Sequence, residues 1–265
     1  MNVFFRELKA YKWGLLFWSL GMFLLVLSGM AKFAAYSSSG QSATDIMAAF
    51  PKSVQVIFGI SGFDLAKASG FFGILFLYLT LMGTIHAVIL GSDIIAKEER
   101  DRTSEFLYVK PISRSRVITS KMLAGLFDLV ILNLVTFFSS IYFVNYYAKG
   151  ENVYLDIRLL MIALFLLQVL FFFVGFAIAA WSRKPKTAAS LSTSVLMLTF
   201  IISFVVNLND KLYFLKYLTP FEYFDAKNLL ADGKLDPLYV FITFLLIAIL
   251  VWISYPNYKN RDLNV

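Results

Sequence analysis

Six long stretches of this sequence carry almost no charged side chain, and they constrain the fold more than any other feature. They cover residues 13–31, 70–92, 117–147, 157–181, 187–206 and 238–255. A helix needs about 20 mostly apolar residues to cross the hydrocarbon layer of a bilayer. Backbone groups inside that layer can be satisfied only within the segment, so each stretch is predicted to be helical. The sequence therefore predicts an all-α polytopic membrane protein with six transmembrane helices, spans one to six, in a single transmembrane domain over residues 1–265.

The composition excludes most kinds of catalytic chemistry. Hydrophobic residues make up 59% of the chain and charged residues 15%, so too few polar residues would remain to cover a soluble core. The chain has no cysteine and one histidine, His86, which excludes disulfides, thiolate-bound metals and a multi-histidine metal site within one chain. We expect no catalytic residue, no bound metal and no cofactor in this chain.

The distribution of basic residues predicts how the spans are oriented. Most of the 24 Lys and Arg residues lie before span one, between spans two and three, between spans four and five, and after span six. Because basic residues concentrate in cytoplasmic loops, we expect these segments and both termini in the cytoplasm, with the chain in the cell membrane. The first stretch is too long for a signal peptide and lacks a nearby cleavage pattern, so it reads as an uncleaved span.

The segments outside the spans also show helical patterns. Residues 2–12 place Phe4, Leu8 and Tyr11 on one face and Arg6 and Lys9 opposite, which predicts a short helix in the cytoplasmic interface. A frayed basic tail is the alternative. On the outer side, residues 46–62 predict a surface helix. The aromatic-rich residues 207–237 predict one or two short helices at the membrane–water boundary.

Ionisable and polar side chains within spans are costly, so they are functional candidates. His86 and Asp128 lie seven residues from the cytoplasmic ends of spans two and three, at a shared depth of about 10 Å. We predict that they pair, either as a structural brace or in the wall of a substrate cavity. Asn133 and Gln168 lie deeper and are expected to form hydrogen bonds between helices, with contact to substrate along the pathway as the alternative. The small residues that begin span five, 187–194, are a candidate for the dimer seam or a mobile helix contact, and Gly175 and Ala179 in span four form a second small-residue pair that allows close helix packing.

The loop between spans two and three is the most informative segment. Its central run reads E-E-R-D-R-T-S-E-F-L over residues 98–107. Mixed charge followed by Phe106 and Leu107 predicts a short helix with a polar and an apolar side, which would suit the docking of a soluble partner. A solvated connector with positive-inside residues remains an equal alternative from the residues alone.

The longer run E-E-R-D-R-T-S-E-F-L-Y-V-K-P-I-S-R resembles the membrane subunits of ABC-2-type ABC transporters. The positions that match the family pattern are Glu98, Thr103, Glu105, Leu107, Pro111, Ile112, Ser113 and Arg114. Arg102 stands where the family often has glycine. The resemblance implies a cytoplasmic coupling helix that binds a separate ATPase subunit, and the residues expected to form that interface are Glu98, Glu99, Arg100, Arg102, Thr103, Glu105, Phe106 and Leu107.

The resemblance implies a permease subunit of an ATP-driven ABC exporter. The chain has no phosphate-binding loop, because its one Gly-Lys pair, Gly233-Lys234, lacks the upstream glycine. ATP and Mg are therefore expected on the partner ATPase. The expected partners are that ATPase, a second permease copy in a homodimer, and membrane lipid, but no nucleic acid. The expected cargo is hydrophobic or amphipathic, such as a peptide or a drug, and moves outward. The alternatives are an ion-coupled secondary transporter, which would need clustered acids or broken helices, and a non-catalytic membrane scaffold.

Overall fold

The computed structural model of the chain describes residues 3–38, 50–60, 62–101, 113–148, 150, 152–182 and 185–259. In this part of the chain, six helices are long and apolar enough to cross a membrane. They are Val3–Ser38, Ala68–Arg100, Arg114–Tyr147, Tyr154–Trp181, Pro185–Leu208 and Pro237–Lys259. These helices correspond in order to spans one to six and keep those names. The prediction of an all-α membrane protein with six candidate spans is confirmed.

Span one is longer than the sequence pattern indicated. It runs without a break through the 36 residues Val3–Ser38, a length of about 54 Å at about 1.5 Å per residue. The N-terminal segment is therefore helical as predicted, but it forms the first turns of span one rather than a separate helix. No proline or capping residue separates it from the apolar stretch, and Gly14 alone does not end a helix.

We call the end where span two ends and span three begins the loop end, and the opposite end the far end. At the far end the chain forms Lys52–Ile57, the 3-10 helix Asp210–Leu218, Pro220–Tyr223 and Ala226–Asp232. The Asp225 side chain caps the last of these by accepting from the backbone N–H of Asn228. Gly233 ends that helix with a left-handed φ of 63°, which glycine adopts without strain. The sequence predicted one or two short helices in residues 207–237, and the structure has three.

Spans two and four form the centre of the bundle. In their most apolar stretches, 61% and 72% of the residues are buried, against 17% for span one and 11% for span six. The peripheral spans leave large apolar side chains exposed, among them Phe17 and Trp252. In a bilayer such side chains face lipid tails at no cost.

Glycines bring the backbones of spans two and four into direct contact. A Cβ added at Gly91 in span two would overlap the carbonyl oxygen of Phe172, and one at Gly175 in span four would overlap that of Val88. Gly175, a predicted site of close packing, therefore packs against span two within this chain. The matching spacing of Gly83, Ala87 and Gly91 on span two supplies the other half of the contact. Close approach through small residues is the usual way that membrane helices associate.

Candidate functional site

Five charged side chains meet at the loop end in what we call the ion-pair network. Its members are Arg6, Glu7, Lys97, Glu98 and Lys121. One terminal nitrogen of Arg6 lies 2.6 Å from Glu7 Oε1 and 2.6 Å from Glu98 Oε1. Lys121 Nζ lies 2.5 Å from Glu98 Oε2 and 3.9 Å from Glu7 Oε1, and Lys97 Nζ lies 3.6 Å from Glu7 Oε2. The network joins spans one, two and three.

The centre of the network is dry. The side chains of Glu7 and Lys121 are 0% exposed, and that of Glu98 is 9% exposed. Lys121 also donates a hydrogen bond to the carbonyl oxygen of Ile94. Removing such charges from water costs several kcal/mol per ion, and mutual attraction offsets this only where the geometry is good and remaining donors are satisfied. The network therefore requires that the three spans keep one relative position.

A second contact ties span one to span two one turn farther along. The Tyr11 hydroxyl donates to Asp93 Oδ2 at 2.8 Å. Asp93 also pairs with Arg100, which in turn contacts Asp101 at 3.1 Å. Because Glu7 and Tyr11 are four residues apart, both lie on the same face of span one. The first turns of span one are thus attached to span two at two levels.

The ion-pair network closes the base of the loop between spans two and three. Glu98 lies in the last turn of span two and Lys121 lies two turns into span three, and their side chains contact each other directly. The Ser113 side chain caps span three by accepting from the backbone N–H of Arg116. Arg114 donates to the carbonyl oxygen of Lys259 at 2.8 Å, which connects the same end of span three to span six.

The structure places the predicted partner contacts in different environments. Glu98 points inward and is buried, Glu99 is half-buried, and Arg100 is exposed beside Asp93 and Asp101. The other members lie outside the described residues: Arg102, Thr103, Glu105, Phe106 and Leu107. Within this chain Glu98 therefore binds Arg6 and Lys121, and the contact of all eight residues with an ATPase stays a prediction.

His86 and Asp128 come together as the sequence predicted. His86 Nε2 lies 3.4 Å from Asp128 Oδ1, and both side chains are buried. The Trp18 ring of span one lies 5.2 Å from the His86 ring. A cavity of about 80 Å³ opens beside the pair between spans one, two and three. Whether the pair acts as a brace or as part of a pathway stays a prediction.

Asn133 and Gln168 connect spans three and four. The Asn133 amide donates to the carbonyl oxygen of Met161 at 3.2 Å and to Gln168 Oε1 at 3.3 Å. The other end of the Gln168 amide lies beside Gly83 of span two, where a Cβ would approach Nε2 to 2.8 Å. Both residues thus take part in helix–helix contact.

Sequence reasoning missed the ion-pair network because its residues come from three separate segments. Lys121 counted only as one of the basic residues that set orientation. One signal was present: Glu7 is the single acidic residue in the first 44 positions, amid the basic residues that precede span one. Within residues 3–259, apart from the gaps given above, no three His, Asp or Glu side chains form a group that could hold a metal ion.

Comparison with known proteins gives a match over almost the entire chain. The family model described as "ABC-2 family transporter protein" matches residues 1–263. No curated protein matches the chain. The family match therefore covers all six spans, the ion-pair network and the loop between spans two and three.

Proposed function

The chain belongs to the ABC-2 family of transporter proteins, and from this premise we propose that it is the permease of an exporter whose ATPase docks on the loop between spans two and three. Family membership makes the chain a membrane subunit of an ABC transporter, and such subunits take their ATPase activity from a separate subunit. The docking site, the direction of transport and the cargo are the parts that we propose.

The ion-pair network carries the proposal about docking. Glu98 and Lys121 flank the loop and contact each other at 2.5 Å, and Arg6 links this pair to span one at 2.6 Å. A force applied to the loop would therefore reach spans one, two and three together. The ATPase, holding ATP and Mg, would press on the loop as it closes around nucleotide. The charged members Glu99, Arg100, Arg102 and Glu105 would set the register of docking, and Phe106 and Leu107 would anchor it.

The spans support a hydrophobic or amphipathic cargo, such as a peptide or a drug, that moves outward. Span four has a mean hydropathy of 2.8 in its most apolar stretch, and the five charged side chains of the ion-pair network are already paired with one another. A highly charged cargo would find little to replace its hydration along such a route. The exposed apolar faces of spans one, five and six are available to lipid and to a second copy of this chain. We propose a homodimer in the cell membrane.

Co-purification with an ABC ATPase tests the docking proposal. The permease is co-expressed with a candidate ATPase, and both binding and ATP-dependent transport are measured in proteoliposomes. We expect Glu105→Lys and Phe106→Asp to abolish the association and the transport. Lys234→Glu is the matched control, because Lys234 is exposed at the far end, and it should bind and transport like the wild type.

Two results would overturn the proposal. ATP-dependent transport at wild-type rates in both loop variants would show that the loop is not the docking site. Transport that continues without any ATPase and follows an ion gradient would favour the secondary transporter instead.

A further inference from the structure

A cavity of about 310 Å³ lies at the far end of the bundle. Span two begins at Ala68, 29 residues before Lys97 of the ion-pair network, so its far end is about 44 Å from the network. The wall joins the helix Lys52–Ile57, the end of span five, the 3-10 helix Asp210–Leu218, the helix Ala226–Asp232 and the start of span six. This volume is large enough for a polar group of several heavy atoms, since a water molecule occupies about 30 Å³ in the liquid.

Among the described residues, the charged side chains of this wall are three lysines and two carboxylic acids: Lys52, Lys216, Lys227, Glu222 and Asp225. Both acids already accept hydrogen bonds inside the protein. Glu222 Oε1 accepts from the Asn207 amide at 2.6 Å, and Asp225 Oδ1 accepts from the backbone N–H of Asn228 at 3.1 Å. Burial, with a smaller contribution from nearby Asp225, raises the pKa of Glu222 to about 8. At neutral pH the wall therefore carries more positive than negative charge.

The protein positions two of these lysines. The stem of Lys227 lies against Gly62, whose φ is +89° and where a Cβ would overlap the Lys227 stem. Lys216 Nζ lies 4.0 Å from the centre of the Tyr213 ring. The side chains of Tyr213 and Tyr239 also line the cavity, and each phenol adds an O–H donor. Ammonium and phenol donors that converge on one cavity favour an anion with several acceptor oxygens.

The surroundings of the cavity are those of a membrane boundary. A second, smaller cavity of about 70 Å³ adjoins it and is lined by Phe63, Phe76 and other aromatic residues. Asn207 and Glu222 belong to both walls. Tyr213, which lines the cavity, and its neighbours Phe214 and Tyr217 on the 3-10 helix are exposed, and aromatic rings of this kind concentrate at the membrane–water interface. An anion that carries an apolar part fits both cavities.

We propose that the far-end cavity binds an anionic phosphate group, held by Lys52, Lys216 and Lys227. Two sources present this chemistry: the headgroup of an anionic phospholipid in the surrounding leaflet, and free phosphate ion. The site is separate from the loop that is proposed to dock the ATPase, and the inference does not depend on that proposal.

The test measures binding to the full-length chain purified in detergent and freed of lipid. The probes are phosphatidylglycerol, phosphatidylcholine and inorganic phosphate, and bound probe is counted by native mass spectrometry. The triple variant Lys52→Gln, Lys216→Gln, Lys227→Gln should bind phosphatidylglycerol at least about tenfold more weakly than the wild type, a difference of about 1.4 kcal/mol. Lys234→Gln, at the same end but outside the cavity wall, should bind like the wild type.

A second variant separates loss of charge from loss of folding. The corresponding triple lysine-to-arginine variant keeps the three charges and should keep the binding. Displacement of phosphatidylglycerol by inorganic phosphate would assign the site to phosphate from either source, and binding of phosphatidylglycerol alone would assign it to lipid. Equal binding of phosphatidylglycerol by the wild type and the glutamine variant would overturn the proposal. So would equal affinity for phosphatidylcholine, or no binding of either anionic probe to the wild type.

Discussion

Replacing Lys121 by methionine tests the ion-pair network most directly, because methionine keeps an unbranched apolar side chain of nearly the same length and removes the charged amino group. In the wild type, Lys121 Nζ contacts Glu98 Oε2 at 2.5 Å and Glu7 Oε1 at 3.9 Å. It also donates to the carbonyl oxygen of Ile94. The substitution leaves both carboxylates buried with one fewer cation, and it leaves the Ile94 carbonyl without this donor.

The expected loss of stability follows from what remains in the network. Removing one partner of a buried ion pair typically costs about 3–5 kcal/mol. Arg6 still contacts Glu7 and Glu98 at 2.6 Å each, and Lys97 still lies 3.6 Å from Glu7. We therefore expect Lys121→Met to lower the free energy of unfolding by the lower end of that range, about 3 kcal/mol.

The assay is equilibrium unfolding in mixed micelles by addition of sodium dodecyl sulfate, followed through the fluorescence of the four tryptophans. A double-mutant cycle combines Lys121→Met with Glu98→Gln. Each single substitution leaves the partner residue buried without the opposite charge of this pair, whereas the double variant removes both charges. The loss of unfolding free energy in the double variant should therefore be smaller than the sum of the two single losses. Contacting residues in one network commonly couple by about 0.5–3 kcal/mol, and at a 2.5 Å contact we expect about 2 kcal/mol.

Lys12→Met is the matched control, since Lys12 is exposed on span one. Its effect should stay within about 0.5 kcal/mol, as is usual for surface substitutions. Equal stability of Lys121→Met and Lys12→Met would refute a stabilising role for the ion-pair network, and so would simple addition of the effects of Lys121→Met and Glu98→Gln.

Three further predictions test other parts of the fold. Gly91→Ala should lower the free energy of unfolding by about 3 kcal/mol, the upper end for overpacking, because the added Cβ meets the backbone of span four. Gly14→Ala, which has open space around it, should leave the free energy of unfolding unchanged in the same assay. Equal effects of the two substitutions would contradict close packing of span two against span four at Gly91. Burial raises the pKa of Glu222 to about 8, above its value in the unfolded chain, so the stability from its neutral form is complete at low pH and is lost as pH rises from about 5 to 8. Melting curves of Glu222→Gln should lack that decline, and an unchanged pH profile would count against the shift. If Asp128 braces His86, Asp128→Ala should lower the free energy of unfolding by about 1 kcal/mol and leave transport rates unchanged. Loss of transport without loss of stability would instead indicate that the pair lines the substrate pathway.

The features that the sequence predicted well depend on one helix at a time. Each span follows from an apolar run, and the His86–Asp128 pair follows from two equal distances to the ends of adjacent spans. Depth along a helix is proportional to residue number, so groups at equal depth on neighbouring helices can be matched from numbering alone. The 3.4 Å contact between these two side chains shows that such matching suffices when the helices are neighbours.

The features that were missed depend on which faces of different helices meet. Glu7 and Lys121 are 114 positions apart, and no periodicity relates them. The sequence of span one allowed a separate interfacial helix, because amphipathic residues at a membrane surface and residues facing a neighbouring span show the same spacing. The number of far-end helices was underestimated because residues 207–237 are rich in aromatic side chains. Aromatic side chains favour the membrane–water interface, but they do so in any backbone conformation, so they do not indicate where one short helix ends and the next begins.

Span two takes part both in the ion-pair network at the loop end and in the close backbone contact with span four. Its last turns carry Lys97 and Glu98 of the ion-pair network, and fewer than two turns earlier Gly91 meets the backbone of span four. Backbone atoms in contact cannot slide past each other without a clash, because close-packed interiors do not deform continuously. A displacement of the loop end of span two must therefore carry span four with it. In their most apolar stretches, spans five and six bury 28% and 11% of their residues, so moving either of them relative to this central pair breaks fewer contacts than separating spans two and four.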